Sequence, residues 1–225
     1  MKFIFGYLIL CLSFFAGCEK DQYNYKKFLN NQEIVYAGLA EKPLARSGNL
    51  RVQLEWQKSI DPSVVSYTIY WNNDSDSATV PASAIQADGL YKYLIPGLPE
   101  YTQAFKIVTT NDRGDRSIGQ YLNSVRVFGP FYNASLTNQR LNTRKFFGTD
   151  SVRLYFFKMD STKVFSRLRY YKNDGALDSI LFPGDSVTVK AFQPGTRPAI
   201  QSYFKPAPTA IDTFKTSQPD SLLAF

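Results

Sequence analysis

Few residues in this chain have a type and spacing that could carry chemistry. Cys18 follows Phe15-Ala16-Gly17 at the end of an apolar run, which is the pattern of a bacterial lipobox, so its thiol is expected to be the lipidation site. The run from Phe3 to Phe15 has 13 residues, broken only by Gly6 and Ser13. That is too short for a membrane-spanning helix, which needs roughly 20. Leu10 before Cys11 is too bulky for the same processing there. An ordinary cleavage after Cys18, with Ala16 at the outer small-residue position, stays open as the soluble alternative. The other candidate set is Arg167, Arg169 and Tyr171, whose spacing of two puts them on one face of a strand as a candidate ligand-binding surface.

Much chemistry is excluded by what is missing. The chain has no histidine and, after Cys18, no further cysteine. Ser-His-Asp catalysis, thiol catalysis, disulfides and the usual zinc and iron ligand sets therefore have no residues to use. Paired carboxylates could still act, but no spacing singles out a pair, so no enzyme activity, cofactor or metal is expected. Asp74 and Asp76 in a polar stretch read as solvated turn residues in preference to a calcium site. Arg113-Gly114-Asp115 reads as an ordinary turn. Trp56 and Trp71 could stack on sugar rings, but their phase in alternating segments assigns both to a core.

The formal net charge is +7, and it is unevenly placed. Residues 32–128 hold nine basic and ten acidic side chains, whereas residues 129–225 hold thirteen and seven. For an exported chain, nucleic acid is not the expected partner; an acidic glycan or an anionic protein surface is.

The elements that must hold these residues are strands. Leu50, Val52, Leu54 and Trp56 alternate with Arg51, Gln53 and Glu55; Val65, Tyr67, Ile69 and Trp71 alternate with Ser66, Thr68 and Tyr70. Further strands are expected at 33–37, 91–95, around Phe105-Ile107-Thr109 and at 125–128, separated by turns at Asp61-Pro62, 72–77, Pro96-Gly97 and 111–115. Gly129-Pro130 marks a boundary. Beyond it the plan repeats: Val152, Leu154 and Phe156 inward, Leu168 and Tyr170 inward, a hairpin turn at Asn173-Asp174-Gly175, and strands at 180–182, 187–192 and 200–204. The expected organisation is a signal peptide at 1–17, a lipidated tether at 18–31, and β-sandwich domains at 32–128 and 129–225. The fold class is all-β, two tandem antiparallel β-sandwich domains, the second divergent and basic.

The strand ending in Trp56, then Tyr67-Thr68-Ile69-Tyr70-Trp71, then Gly97-Leu98-Pro99 before Phe105-Lys106-Ile107 and the turn at Gly114, resembles a fibronectin type III domain. Gln103 or Ala104 stands where that fold's corner tyrosine belongs. The segment Ser202-Tyr203-Phe204-Lys205-Pro206-Ala207-Pro208-Thr209-Ala210-Ile211-Asp212-Thr213-Phe214 is similar to the closing segment of uncharacterised two-domain lipoproteins of Bacteroidota, and Glu19-Lys20-Asp21 is similar to the charged tripeptides that direct such lipoproteins to the cell exterior. The resemblance implies an outer-membrane, surface-exposed, lipid-anchored accessory of polysaccharide uptake, either a carbohydrate-binding or partner-binding module or a structural spacer with no ligand. Because the second and third strands of such a sandwich lie in opposite sheets, Arg153, Tyr155 and Phe157 are expected on one outer face and Arg167, Arg169 and Tyr171 on the other. Charge reversal at Arg153 is expected to matter less than at Arg167 and Arg169.

Overall fold

The computed structural model describes residues 35–225. Cys18, the apolar run and the tether, with Glu33 and Ile34 of the first expected strand, lie outside the described residues.

The first sandwich has a sheet of β1 (Glu41–Ser47), β2 (Arg51–Gln57) and β5 (Leu90–Pro96), packed on a sheet ordered β4-β3-β6-β7, with β3 at Val64–Trp71, β4 at Asp76–Pro81, β6 at Thr102–Asn111 and β7 at Gln120–Arg126. All pairings within these sheets are antiparallel. The core is the inward set expected from alternation: Val52, Leu54, Trp56, Tyr67, Ile69, Tyr91 and Ile107 are fully buried. Trp56 lies parallel to Tyr91 at 5.5 Å, and Tyr67 wedges against both rings. Two polar tips in this cluster are satisfied locally, Tyr91 Oη donating to Ala82 O and Tyr67 Oη accepting from the Ser59 N–H.

Four expectations fail, each for a local reason. Val35–Ala37 is not a strand; the first strand is β1, whose alternation is hidden by a bulge between Glu41 and Leu44 that holds Lys42 at positive φ. Leu50 is exposed because it precedes β2 at φ 53 and spends its N–H on Phe128 O. Val65 is exposed and Val64 buried, because a register shift between Val64 and Ser66 moves the phase by one residue. Trp71 is only half-buried, at the end of β3 where the core runs out.

The second sandwich repeats the plan. β8 (Leu141–Phe147), β9 (Ser151–Phe156) and β12 (Ser186–Lys190) form a three-stranded sheet with β9 central. The opposing sheet is ordered β11-β10-β13-β14, from β10 (Lys163–Tyr171), β11 (Leu177–Phe182), β13 (Ala199–Phe204) and β14 (Phe214–Lys215), with β15 (Asp220–Ser221) also on β13. β8, β9, β10, β11, β12 and β13 thus occupy the places of β1, β2, β3, β4, β5 and β6, and the last strand is split into two short pieces. Its apolar core contains Val152, Leu154, Leu168, Val189, Phe192 and Ile200. Beside it lies a buried polar knot: Ser166 and Ser202 share a hydroxyl contact of 3.0 Å, Gln139 bonds Ser202 and Asp185, and Asn138 Oδ1 accepts from Ser202 N–H and Thr216 Oγ1. β11 is an outer strand, and its Ser179 N–H is taken by Asp178 Oδ1 at 2.7 Å.

After β7 and the Gly129-Pro130 pair the chain makes a short helix, α1 (Pro130–Ser135), with Pro at its start where no N–H is needed. Glu100 accepts from the Phe131 and Tyr132 N–H groups at 2.7 Å each, pinning α1 to the first sandwich. The long connection from β13 to β14 also returns to it. Ile211 N–H donates to Ser47 O at 2.9 Å, and Asp212 accepts from the Asn49 N–H and from Arg51 Nε and Nη2 at 2.7, 2.9 and 2.5 Å. Phe128, Tyr132 and Phe214 pack as an edge-on aromatic trio at 4.9–5.9 Å. The two cores are therefore joined by a charged latch and an aromatic seam.

Candidate functional site

β10 places Arg167, Arg169 and Tyr171 on the outer face of its sheet, because Ser166, Leu168 and Tyr170 take the inner phase. Arg167 lies opposite Leu181 on β11 and Gln201 on β13, and its guanidinium sits 5.4 Å from the centre of the Tyr203 ring. Tyr203 in turn stacks on Phe165 at 4.5 Å, so Arg167 is half-buried on an aromatic shelf. Arg169 is exposed opposite Ser179 and Ala199, and Tyr171 is exposed opposite Leu177. Among the described residues neither arginine has a carboxylate within salt-bridge distance. Asp178, with Arg167, Arg169, Leu177 and Ser179, lines a shallow depression of about 360 Å³. Its carboxylate already accepts from Tyr170 Oη and faces Lys172 at 3.9 Å.

Arg153 and Tyr155 lie on β9 of the other sheet and Phe157 directly follows it, in keeping with the sandwich topology the resemblance implied, so the two sets form separate faces. The sequence reading missed what flanks Arg153. Lys145 on β8 pairs directly with it, and Lys190 on β12 lies two pairs along from its partner Thr188, both exposed. Lys145 and Arg153 lie over the rings of Phe147 and Tyr155. The signal for this second cationic face was the run Arg144-Lys145, which was not recognised as lying in a strand.

The remaining candidates have structural occupations. Asp74 is paired with Lys106, and Asp76 accepts from Asn72 Nδ2 at 3.2 Å. Asp115 accepts from Asn111 within the turn that contains Arg113 and Gly114. Among the described residues no group of three or more His, Cys, Asp or Glu is placed to hold a metal ion, and no helix is long and apolar enough to cross a membrane. Lys163, whose burial pulls its pKa down, donates to Gln139 Oε1 and Gly184 O and belongs to the polar knot, not to an open site.

Strand order and register define two tandem β-sandwiches of the fibronectin type III kind, with a shallow depression at Arg167 and Arg169. The chain belongs to the DUF4998 family, a domain of unknown function, whose model matches residues 18–214. No curated protein matches it. Among solved structures it is similar to the FN1–FN3 domains of chicken CNTN1, with 14% identity, a TM-score of 0.44, and coverage of 86% of this chain and 67% of that one. It is also similar to a segment of two fibronectin type III domains from chicken tenascin, with 12% identity, a TM-score of 0.30, and coverage of 83% and 99%.

Proposed function

We propose that the protein is a non-catalytic lipoprotein of the cell envelope, anchored in the outer membrane through Cys18, that works at the cell surface as a binding or accessory module of polysaccharide uptake. The ligand class is an acidic glycan held on the outer face of β10. The observation that carries this reading is the pair Arg167 and Arg169, without carboxylate partners among the described residues, beside exposed Tyr171, Leu177 and Leu181. Guanidinium groups supply forked donors to carboxylates or sulfates, and the apolar side chains supply a surface for the C–H face of a sugar.

The test is binding of the full-length protein to polygalacturonate and to a sulfated glycan. Affinity is expected to fall as the screening length shortens from about 10 Å at 0.1 M salt to about 3 Å at 1 M, and to be abolished by Arg167→Glu with Arg169→Glu. Loss on Lys145→Glu with Arg153→Glu, and retention on the Arg167/Arg169 reversal, would move the site to the opposite sheet and refute this assignment. A second reading, a spacer with no ligand of its own, is favoured by the latch between Asp212 and Arg51, which holds the sandwiches together without using either basic face. Under it, neither polymer binds and neither raises the melting temperature.

A further inference from the structure

A second surface, on the first sandwich, has the chemistry of a different ligand. Where β3 ends at Trp71, its turn into β4 peels away from β6 and leaves a groove of about 560 Å³ between Asn72–Asp74 and Tyr101–Lys106. That volume is within the roughly 300–1,000 Å³ of small-molecule sites. Two local irregularities shape it. Asn72, Asn73 and Asp74 all adopt positive φ, at 51°, 53° and 64°, which Asn and Asp tolerate better than other residues with a side chain. Across the groove the β6–β7 ladder slips between Gln103 and Phe105, with Ser124 at φ 59. Bulges of this kind re-aim side chains and recur beside binding sites.

The lining is aromatic and polar together. Trp71 is half-buried in it, while Tyr101 and Tyr121 are 57% and 65% exposed on its rim. Its two charged residues, Asp74 and Lys106, form an ion pair with each other, so the groove offers no free charge. Gln103, one of the two residues standing where the fold's corner tyrosine belongs, is buried at the groove, and its Nε2 has no hydrogen-bond partner. A covered amide donor left unpaired is a cost that a native structure seldom carries without a use.

We propose that this groove binds a neutral saccharide. A pyranose ring combines a C–H face, which lies flat on an aromatic ring, with a rim of hydroxyls that exchange hydrogen bonds with Asn72 and Asn73 and take the Gln103 donor once its covered amide turns into the groove. A charged glycan would meet the Asp74–Lys106 pair and gain nothing from it, and an apolar ligand would leave the amides unsatisfied. The site depends on neither the basic face of β10 nor the anchor.

The test uses the full-length protein and four neutral linear hexasaccharides, of glucose, mannose, xylose and galactose. The chain has two tryptophans, and Trp56 is fully buried, so a ligand-induced change in emission or in iodide quenching reports Trp71. At least one hexasaccharide is expected to bind in the submillimolar range, with affinity unchanged between about 0.1 and 1 M salt. Tyr101→Ala and Gln103→Leu, both of which leave the central Trp56–Tyr67–Tyr91 packing alone, are each expected to weaken binding about tenfold. The Arg167/Arg169 reversal is expected to leave it intact, so failure here and failure of the acidic-glycan reading are separate results. Absence of binding by all four sugars at about 10 mM, equivalent to an affinity weaker than about 3 kcal/mol, overturns the proposal. So does binding that survives both Tyr101→Ala and Gln103→Leu.

Discussion

Replacing Asp212 with Asn tests whether the connection between β13 and β14 binds the two sandwiches energetically. Asp212 accepts three hydrogen bonds, from Arg51 Nε, Arg51 Nη2 and the Asn49 N–H. Bonds to charged groups are worth about 1.5–3 kcal/mol each when shielded, and exposed ion pairs about 0–1. The Asp212 side chain is 18% exposed and that of Arg51 is 41% exposed, which puts the pair between these limits. A double-mutant cycle of Asp212→Asn with Arg51→Met, read by urea unfolding at pH 7, is therefore expected to give a coupling of about 1.5 kcal/mol. The pH dependence has a definite sign. Hydrogen bonds from Arg51 foremost, against opposing desolvation, hold the Asp212 pKa below its ordinary value of 3.8. A depressed carboxylate pKa contributes stability that is present above the unfolded value and is lost as pH falls through the folded one. The stability gap between the wild type and Asp212→Asn should therefore be full at pH 5–7 and close progressively below about pH 4. A coupling under about 0.3 kcal/mol at pH 7, within the usual error of additivity, or a gap that does not change on acidification, would refute the latch.

Trp56→Ala is expected to cost about 3–5 kcal/mol in chemical denaturation, because the ring is fully buried against Tyr67 and Tyr91. Its Nε1 has no partner, so the loss is one of packing alone, and a cost under about 1 kcal/mol would contradict that burial. Cys18→Ala is expected to abolish incorporation of labelled fatty acid, and unchanged labelling would remove both the anchor and the surface assignment.

The parts of the fold legible in the sequence were those where period two survives intact. In β2 the inward Val52, Leu54 and Trp56 stand out even though Glu55 is also buried, since Arg46 pairs with its carboxylate. In β9 and β10 the phase of Val152 to Phe156 and of Leu168 to Tyr170 was correct, and the topology implied by the resemblance put Arg153 and Arg167 on opposite sheets. Bulges erased the pattern elsewhere: β1 carries one after Glu41, and β8 slips between Leu141 and Thr143, which hid Lys145. The second sandwich read weakly because Ser166 and Ser202 face inward, where alternation predicts apolar residues, to serve the polar knot. The partnership of Asp212 with Arg51 spans 161 residues and leaves no local trace. Gln103 was visible as a departure from the sandwich pattern, but its unpaired amide and the groove above it depend on a register slip that no local pattern announces.

The hydrogen bond from Ser179 N–H to its neighbour's carboxylate bears on how copies of this protein behave when crowded side by side. β11 is an outer strand with Leu177 and Leu181 exposed at 60% and 56%, a combination that invites strand-to-strand zippering between molecules. Asp178 counters this twice, by occupying a donor at Ser179 that an incoming strand would need and by holding a negative charge at the sheet margin. At this margin one carboxylate therefore removes a donor that strand addition would use, beside the open leucines of β11.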